Sequence, residues 1–314
     1  MINHTIIICN IRKCCDDLIN KVNFELYIRP TDFVEPSGCS KKFYLTNGDS
    51  INTIFGLFKF PKSDTTYEYV SEHLASALAH MLNIKCCNID IGIYQNSIGC
   101  FSHWIYPMNV GVEFIEGVTL LESFYPDYNK DKYMLNDGSI YSIEMIMPCL
   151  CNNRMREDFF KMLIFDFFIG NSDRHHNNWA IIKYQGNIEF SPLYDNSSSL
   201  CAYTSDKQID LCMNNETSLI SLCDTNSKSI IGLENKKRPK HSVMIEYIIK
   251  NYANNYTIIS ELCNQILNIT ESTLKDMVNE YSGILPQKRI DLIIKYLRYK
   301  QIILKEIMGR CDIV

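Results

Sequence analysis

Residues 170–195 hold the side chains best suited to chemistry. Gly170-Asn171-Ser172-Asp173-Arg174-His175-His176-Asn177-Asn178 is a polar run directly after an apolar one, and it sets Asp173 and Asn178 in a D-x-x-x-x-N relation. In phosphoryl transfer an Asp on such a loop accepts or orients the proton of the attacking hydroxyl, and an Asn carbonyl oxygen binds a magnesium ion. Downstream, Ser191-Pro192-Leu193-Tyr194-Asp195 brings a second carboxylate. A lone D-x-x-x-x-N is common in ordinary turns, so the weight lies in the joint pattern of apolar helix, polar loop and second acid.

These groups need elements to bring them together. Trp179–Lys183 and Ile188–Ser191 read as two short strands around Gln185-Gly186-Asn187, a hairpin signal. Arms of similar length return Asp195 to the end where Asn178 sits. Two oxygen ligands, completed by phosphate oxygens and waters, suit Mg²⁺, which dehydrates reluctantly. Glu157–Ile169 is apolar all round, which predicts a core helix. Asp166 inside it must find partners, because an unpaired buried carboxylate is costly, and bracing the backbone near Asn171–Asp173 is the expected role. The side chains of His175 and His176 diverge as neighbours, so loop support or solvent exposure is expected of them rather than metal binding.

Composition narrows the function classes. The chain has 314 residues, 31 Lys+Arg against 36 Asp+Glu and a net charge of −5, with 46% hydrophobic residues. That excludes a disordered chain, and the acidic balance argues against direct nucleic-acid binding. No stretch approaches the roughly 18 apolar residues of a membrane span. The 14 cysteines include the adjacent pairs Cys14–Cys15 and Cys86–Cys87, but no C-x-x-C, and Cys149-Leu150-Cys151 lacks a second ligand pair. Reduced thiols in a cytoplasmic protein are expected, and zinc is not.

The front of the chain is β-rich. Thr5–Cys9, Phe24–Ile28, Lys42–Thr46 and Ile54–Phe60 read as strands, Pro36-Ser37-Gly38 and Asn47-Gly48-Asp49 as turns. Tyr67, Val70, Leu74, Leu78 and Met81 recur at helical spacing, with Ser63-Asp64 as the expected cap. Ile89–Tyr94 and Gly99–Ile105 read as a further strand pair. From Thr204 to His241 the polar composition predicts a long loop. Met244–Tyr252, Ile258–Ile269, Ser272–Tyr281 and Gln287–Met308 carry helical periodicity. The fold class is therefore α+β.

The run Gly170–Trp179, taken with Ser191-Pro-Leu-Tyr-Asp195-Asn-Ser-Ser-Ser-Leu200, resembles the HipA-like kinases, from about residue 35 to the end. The resemblance implies a bilobed protein-kinase-like fold. Residues 1–104 would form a small β-rich N-lobe with one long helix, and residues 105–314 a larger, mainly helical C-lobe. It implies ATP and Mg²⁺ as cofactors and a protein Ser/Thr hydroxyl as acceptor, with Asp173 catalytic and Asn178 and Asp195 as metal ligands. Ser37-Gly38-Cys39-Ser40-Lys41-Lys42-Phe43 resembles the phosphate-covering loop, which assigns Gly38, Ser40 and Lys41 to the nucleotide and places Ser37 and Ser40 for self-modification. Lys59 matches the nucleotide-contacting Lys, with Lys62 as fallback. Glu68 matches the Glu that pairs with Lys59, leaving Glu72 as a solvated charge, and Ser102–Ile105 falls at the hinge. The chain reads as a short form without the extra N-terminal subdomain of longer HipA toxins. An antitoxin or other regulatory partner is implied. Two other classes stay open, a phosphatidylinositol-type lipid kinase, for which Lys236-Lys237-Arg238-Pro239-Lys240 is a candidate surface, and a nucleotide-binding pseudokinase.

Overall fold

The computed structural model describes residues 19–31, 41–49, 53–106 and 111–311. The expected strand over Thr5–Cys9 lies outside the described residues, as do Ser37, Gly38 and Ser40.

A five-stranded sheet comes first: β1 (Val22–Asn23), β2 (Lys42–Thr46), β3 (Phe55–Lys59), β4 (Ile89–Tyr94) and β5 (Ser97–His103). Their spatial order is β1-β4-β5-β3-β2, with β1 parallel to β4 and the other pairs antiparallel. Side chains alternate across a strand, so residues flanking Lys59 face away from it. Phe58 and Phe60 join Phe24, Leu45, Tyr94 and Phe101 in an aromatic cluster on one face of the sheet. Lys59 and its cross-strand neighbour Cys100 consequently face the other side, toward the helix that follows β3. The expected strand over Phe24–Ile28 is shorter and earlier. Phe24 turns its ring into the aromatic cluster, and Ile28 makes only an isolated bridge to Thr46.

That helix is α1 (Glu68–Met81), which buries Val70, Leu74, Ala75 and Leu78. Ser63-Asp64 does not cap it. The N-cap position is Tyr67 with no side-chain bond, because Ser63 and Thr66 satisfy each other in a separate turn.

A second, three-stranded sheet joins β6 (Glu113–Glu116), β7 (Ala180–Tyr184) and β8 (Asn187–Phe190). The expected hairpin is present, turning on Gln185-Gly186 with Asn187 already paired to Tyr184. The first strand of this sheet, and the helices α2 (Gly117–Phe124) and α3 (Ile143–Ile146), had no clear signal in the sequence. The core helix is α4 (Asn153–Ile169), started by the Asn152 side chain accepting from the Met155 amide. It ends at Gly170, in the left-handed region at φ 71°.

The segment expected as a long loop from Thr204 to His241 contains α5 (Asp206–Asn214), α6 (Glu216–Ile220) and a π-helical turn over Ser221–Thr225. Ser205 and Asn215 cap the two helices. Only Ile209 and Cys212 of α5, and Leu219 of α6, are buried, so neither shows an apolar period strong enough to read. The rear helices are α7 (His241–Tyr252), α8 (Thr257–Asn268), α9 (Glu271–Asn279) and α10 (Gln287–Arg310). The main core is shared: α1 packs in the same apolar cluster as α4, α7, α8 and α10, so no break separates the helix of the sheet layer from the rear helices. Among the described residues no helix is long and apolar enough to cross a membrane.

Gly170 fixes the turn between α4 and the polar loop. A Cβ there would overlap the Tyr296 hydroxyl, at a φ that L side chains rarely adopt. Adding the left-handed penalty to the overpacking, Gly170→Ala is expected to cost about 3 kcal/mol. A urea unfolding midpoint unchanged by this substitution would refute the close approach.

Candidate active site

Asp166, three residues before the end of α4, finds its partner in Arg174. The guanidinium donates to both carboxylate oxygens, at 2.9 Å from Nε and 2.7 Å from Nη2. Nη1 donates to the carbonyls of Asn178 and Tyr194, each at 2.8 Å, and Nη2 donates to Asn196 Oδ1 at 2.6 Å. All five donors are used in a side chain that is 1% exposed. Two carbonyls on one nitrogen make Asn178 and Tyr194 near neighbours, so the hairpin does return Asp195 toward Asn178. Asp166 also accepts from the Asn171 amide, and Asn171 Oδ1 accepts from the Asp173 backbone amide. Asp166 thus braces the loop through Asn171, as its burial requires, while its main partner was not foreseen. A signal for that partner existed, because Arg174 is the first cation after the helix that buries Asp166.

The underside of the loop is aromatic. His176 stacks on Tyr133 with centroids 4.6 Å apart, and its Nδ1 bonds the Tyr128 hydroxyl at 2.8 Å. Trp179 Nε1 donates to the Tyr141 hydroxyl, which donates to the Arg174 carbonyl. Burial, helped by His175 and Lys130, pushes the His176 imidazole down to about 4 and keeps it neutral. His176 therefore supports the loop.

Lys59 meets two acids. Its Nζ donates to Asp195 Oδ1 at 2.8 Å and lies 3.6 Å from Glu72 Oε2. Glu72, fully buried, also accepts from the Asn196 amide at 2.9 Å through Oε1. The pairing expected of Glu68 is therefore made by Glu72. Glu68 lies one turn earlier at the mouth of the helix, where Oε1 accepts from the Lys62 backbone amide. Only the later turn reaches beneath β3. Burial opposes the charge on Lys59, but Asp195 and Glu72 outweigh it and hold its ammonium protonated. Burial likewise opposes ionising Asp195, and Lys59, with Lys42 and Arg174 behind it, holds that carboxyl well below its usual range. Burial pushes the Glu72 carboxyl up against the pull of Lys59. Asp195 itself sits in the left-handed region, at φ 53°.

Lys42, Lys59, Lys62, Glu68, Asp195 and Tyr203 line a cleft between the first sheet and the loop. Lys41 is not brought into it. Strand alternation puts Lys41 on the face of Phe43, where its Nζ donates to Gln95 and lies over the Phe60 ring, while Lys42 lines the cleft. Lys62 donates to the Tyr203 hydroxyl at 3.1 Å. Ser102 remains in strand, paired to both β3 and β4, and His103 is paired to β3.

The donor set fits a magnesium ion. Asn178 Nδ2 donates to the Asp173 carbonyl at 2.7 Å, which fixes the amide and leaves Oδ1 with no hydrogen bond among the described residues. Asp195 Oδ1 accepts from Lys59 and Ser197, and Oδ2 has no such bond. The half-buried Asp173 carboxylate likewise has no bond or ion pair among the described residues. Three lysines beside two hard oxygen donors are the means of holding a polyanion with a divalent cation.

A β-sheet lobe with one helix, joined across a Lys-lined cleft to a helical lobe bearing an Asp loop, is a bilobed protein-kinase-like fold. The model of the HipA-like C-terminal domain matches residues 34–256, and the chain belongs to that family. It is 24% identical over 184 residues to the serine/threonine-protein kinase CtkA of Helicobacter pylori, a match covering 53% of this chain and about half of that relative, 54%. The crystal structure of the H. pylori proinflammatory kinase CtkA superposes with a TM-score of 0.74 at 15% identity, covering 93% of this chain and 99% of that one. HipA from Shewanella oneidensis MR-1, solved with HipB and operator DNA, superposes at 0.54 with 12% identity, over 91% of this chain and 67% of that one.

The neutral, buried His176 has a pH consequence. The unfolded chain takes up a proton near the ordinary histidine value, and the folded one only near 4. Stability contributed by this residue is thus present above about pH 6.5 and lost as pH falls toward 4. Discounted for screening, the loss between pH 7 and 5 is about 1 kcal/mol. His176→Gln is expected to flatten the acid limb of stability against pH by that amount. An unchanged slope would contradict a neutral imidazole.

Proposed function

We propose that this chain is an ATP- and Mg²⁺-dependent serine/threonine protein kinase of HipA-like type. The observation that carries the proposal is the meeting of Lys59, Glu72 and Asp195 over a loop whose Asp173 carboxylate and Asn178 Oδ1 have no bond among the described residues. Lys59, oriented by Glu72, would contact the phosphates, and Lys42 and Lys62 would add positive charge along the cleft. Asn178 and Asp195 would hold the ion, which when bound neutralises charge on the phosphates. Asp173 would orient the acceptor hydroxyl and take its proton. The acceptor oxygen then bonds to the γ-phosphorus as the bond to the bridging oxygen breaks, and the electron pair leaves with ADP. The chain's own contribution is position and fixed charge.

Gly38, Ser40 and Ser37 remain part of the proposal through the resemblance of their loop, including self-modification there. A protein acceptor is favoured over a lipid one because the basic run 236–240 is not a uniform cationic face: Lys240 is paired with Asp224. A regulatory partner is proposed by analogy with the HipA–HipB assembly, and a cytoplasmic location from the reduced cysteines.

Asp195→Asn is expected to lower transfer from labelled ATP at least about 10³-fold while leaving the unfolding midpoint within a few degrees. Glu72→Gln should cost about tenfold or more in kcat, and Glu68→Gln less than about twofold. Wild-type protein should show a magnesium-dependent thermal shift with ATP, and should label mixed protein acceptors but not phosphatidylinositol vesicles. ATP binding without transfer to any acceptor would favour a pseudokinase. Equal loss in the two Glu variants would remove Glu72 from its assigned role.

A further inference from the structure

Behind the loop lies a second cavity, of about 360 Å³, that the transfer chemistry does not use. Its wall includes Ser172, which immediately precedes Asp173, and the chain from Ser198 to Ser205, which follows Asp195. The two parts are tied together where the Ser172 amide donates to the Ser198 carbonyl. Tyr203 lines both this cavity and the Lys-lined cleft, so the two spaces share a wall. The volume is that of a small ligand site.

The lining is polar without being charged. Ser172, Ser198, Ser199, Thr204 and Ser227 line it with Gln208 and Asn226, and no Asp or Glu among the described residues contributes. Charge stands one layer behind, and its two buried groups, Lys300 and Arg289, are positive. Lys300 is 1% exposed. Its Nζ donates to Ser227 Oγ at 2.7 Å and lies over the rings of Phe167 and Tyr296, at 4.7 and 5.3 Å. No carboxylate pairs with it among the described residues, since the nearby Asp224 is held by Lys240. Arg289, 2% exposed, donates to the carbonyls of Cys201 and Thr204 in the cavity wall, and its Nε has no partner among the described residues. Its nearest acid, Asp206, is 3.9 Å away and largely exposed.

Two buried cations without buried counter-charges are costly as they stand. Burial already lowers the Lys300 ammonium to about 7. An anion in the cavity would relieve that cost, with the Ser172 and Ser198 hydroxyls as donors to its oxygens. The Ser199 hydroxyl is engaged by the Asn196 carbonyl, and the Ser227 oxygen by Lys300 and His241. A cationic side chain would find no acid there.

We propose that this cavity receives an anionic side chain of the protein acceptor, carboxylate or phosphoryl, lying near the hydroxyl that is phosphorylated. The proposal rests on the kinase assignment above and adds a substrate class to it: acceptors with acidic rather than basic residues beside the target Ser or Thr.

The test is a Ser/Thr peptide library in which each flanking position is fixed as Asp, Glu, phosphoserine, Ala, Arg or Lys, with ATP affinity measured in parallel. Wild-type protein should prefer an acidic residue over Ala by about tenfold in kcat/KM at one or more positions. The Asp/Glu and phosphoserine arms separate the two sources of charge. Gln208→Glu puts an isosteric negative charge at the exposed edge of the cavity and should cut the acidic-to-Ala preference at least fivefold, mainly through KM. Lys300→Met should do the same, and Gln208→Glu keeps the test valid if that buried substitution impairs folding. Transfer with no acidic preference, a preference for Arg or Lys, or an unchanged ratio in Gln208→Glu overturns this inference alone. Absence of both ATP binding and transfer overturns the kinase assignment, and this inference with it.

Discussion

The guanidinium of Arg174 organises the site. A buried arginine must place five N–H donors, and leaving any of them unpaired costs desolvation free energy. Here the five are met by Asp166 on α4, by the carbonyls of Asn178 and Tyr194, and by the Asn196 side chain. Those acceptors come from the helix, from the end of the polar loop and from the far side of the hairpin. Satisfying one side chain therefore sets the relative positions of Asp173, Asn178 and Asp195, although Arg174 touches none of their carboxylate or amide groups. A buried pair of this kind adds little net stability compared with apolar packing, but breaking it strands a charge, which costs several kcal/mol. Its value lies in specifying one loop geometry.

The same logic links the two lobes. Glu72 reaches from α1 to the Asn196 amide, one residue from Asp195 and the same residue whose side chain completes the Arg174 network. Lys59 reaches from β3 to Asp195. Movement of α1 relative to the loop would part Glu72 from the Asn196 amide and leave a buried carboxylate oxygen without that donor. The left-handed backbone at Asp195 is consistent with strain held in place by these surrounding contacts. Beneath the loop, the Tyr128, Tyr133, Tyr141 and Trp179 rings fill space around a neutral His176, which lets the loop stay polar above and apolar below.

Much of this was legible in residue order. The strands β2 and β4 match their expected bounds, and the helices α4 and α10 fall where apolar content and periodicity place them, because long or strongly alternating segments carry their own signal. Asp166 announced a buried partner by lying in an apolar helix. Short capped helices such as α5 and α6 were not legible, since three buried residues between them leave no period. Nor was the choice between Glu68 and Glu72, one turn apart on nearly the same face.

The sequence by itself determined which chemistry is available: an acid, an amide and a second acid on a loop and hairpin, a lysine in a strand between two phenylalanines, and a helix with acids on one side. Tertiary structure alone decided which acid meets Lys59, that Lys42 rather than Lys41 lines the cleft, and that Arg174 binds three segments of chain at once. The physical reason is one of range. Periodicity and capping are set by neighbours a few residues away, whereas ion pairing and burial depend on which surfaces the whole chain brings to within a few ångströms.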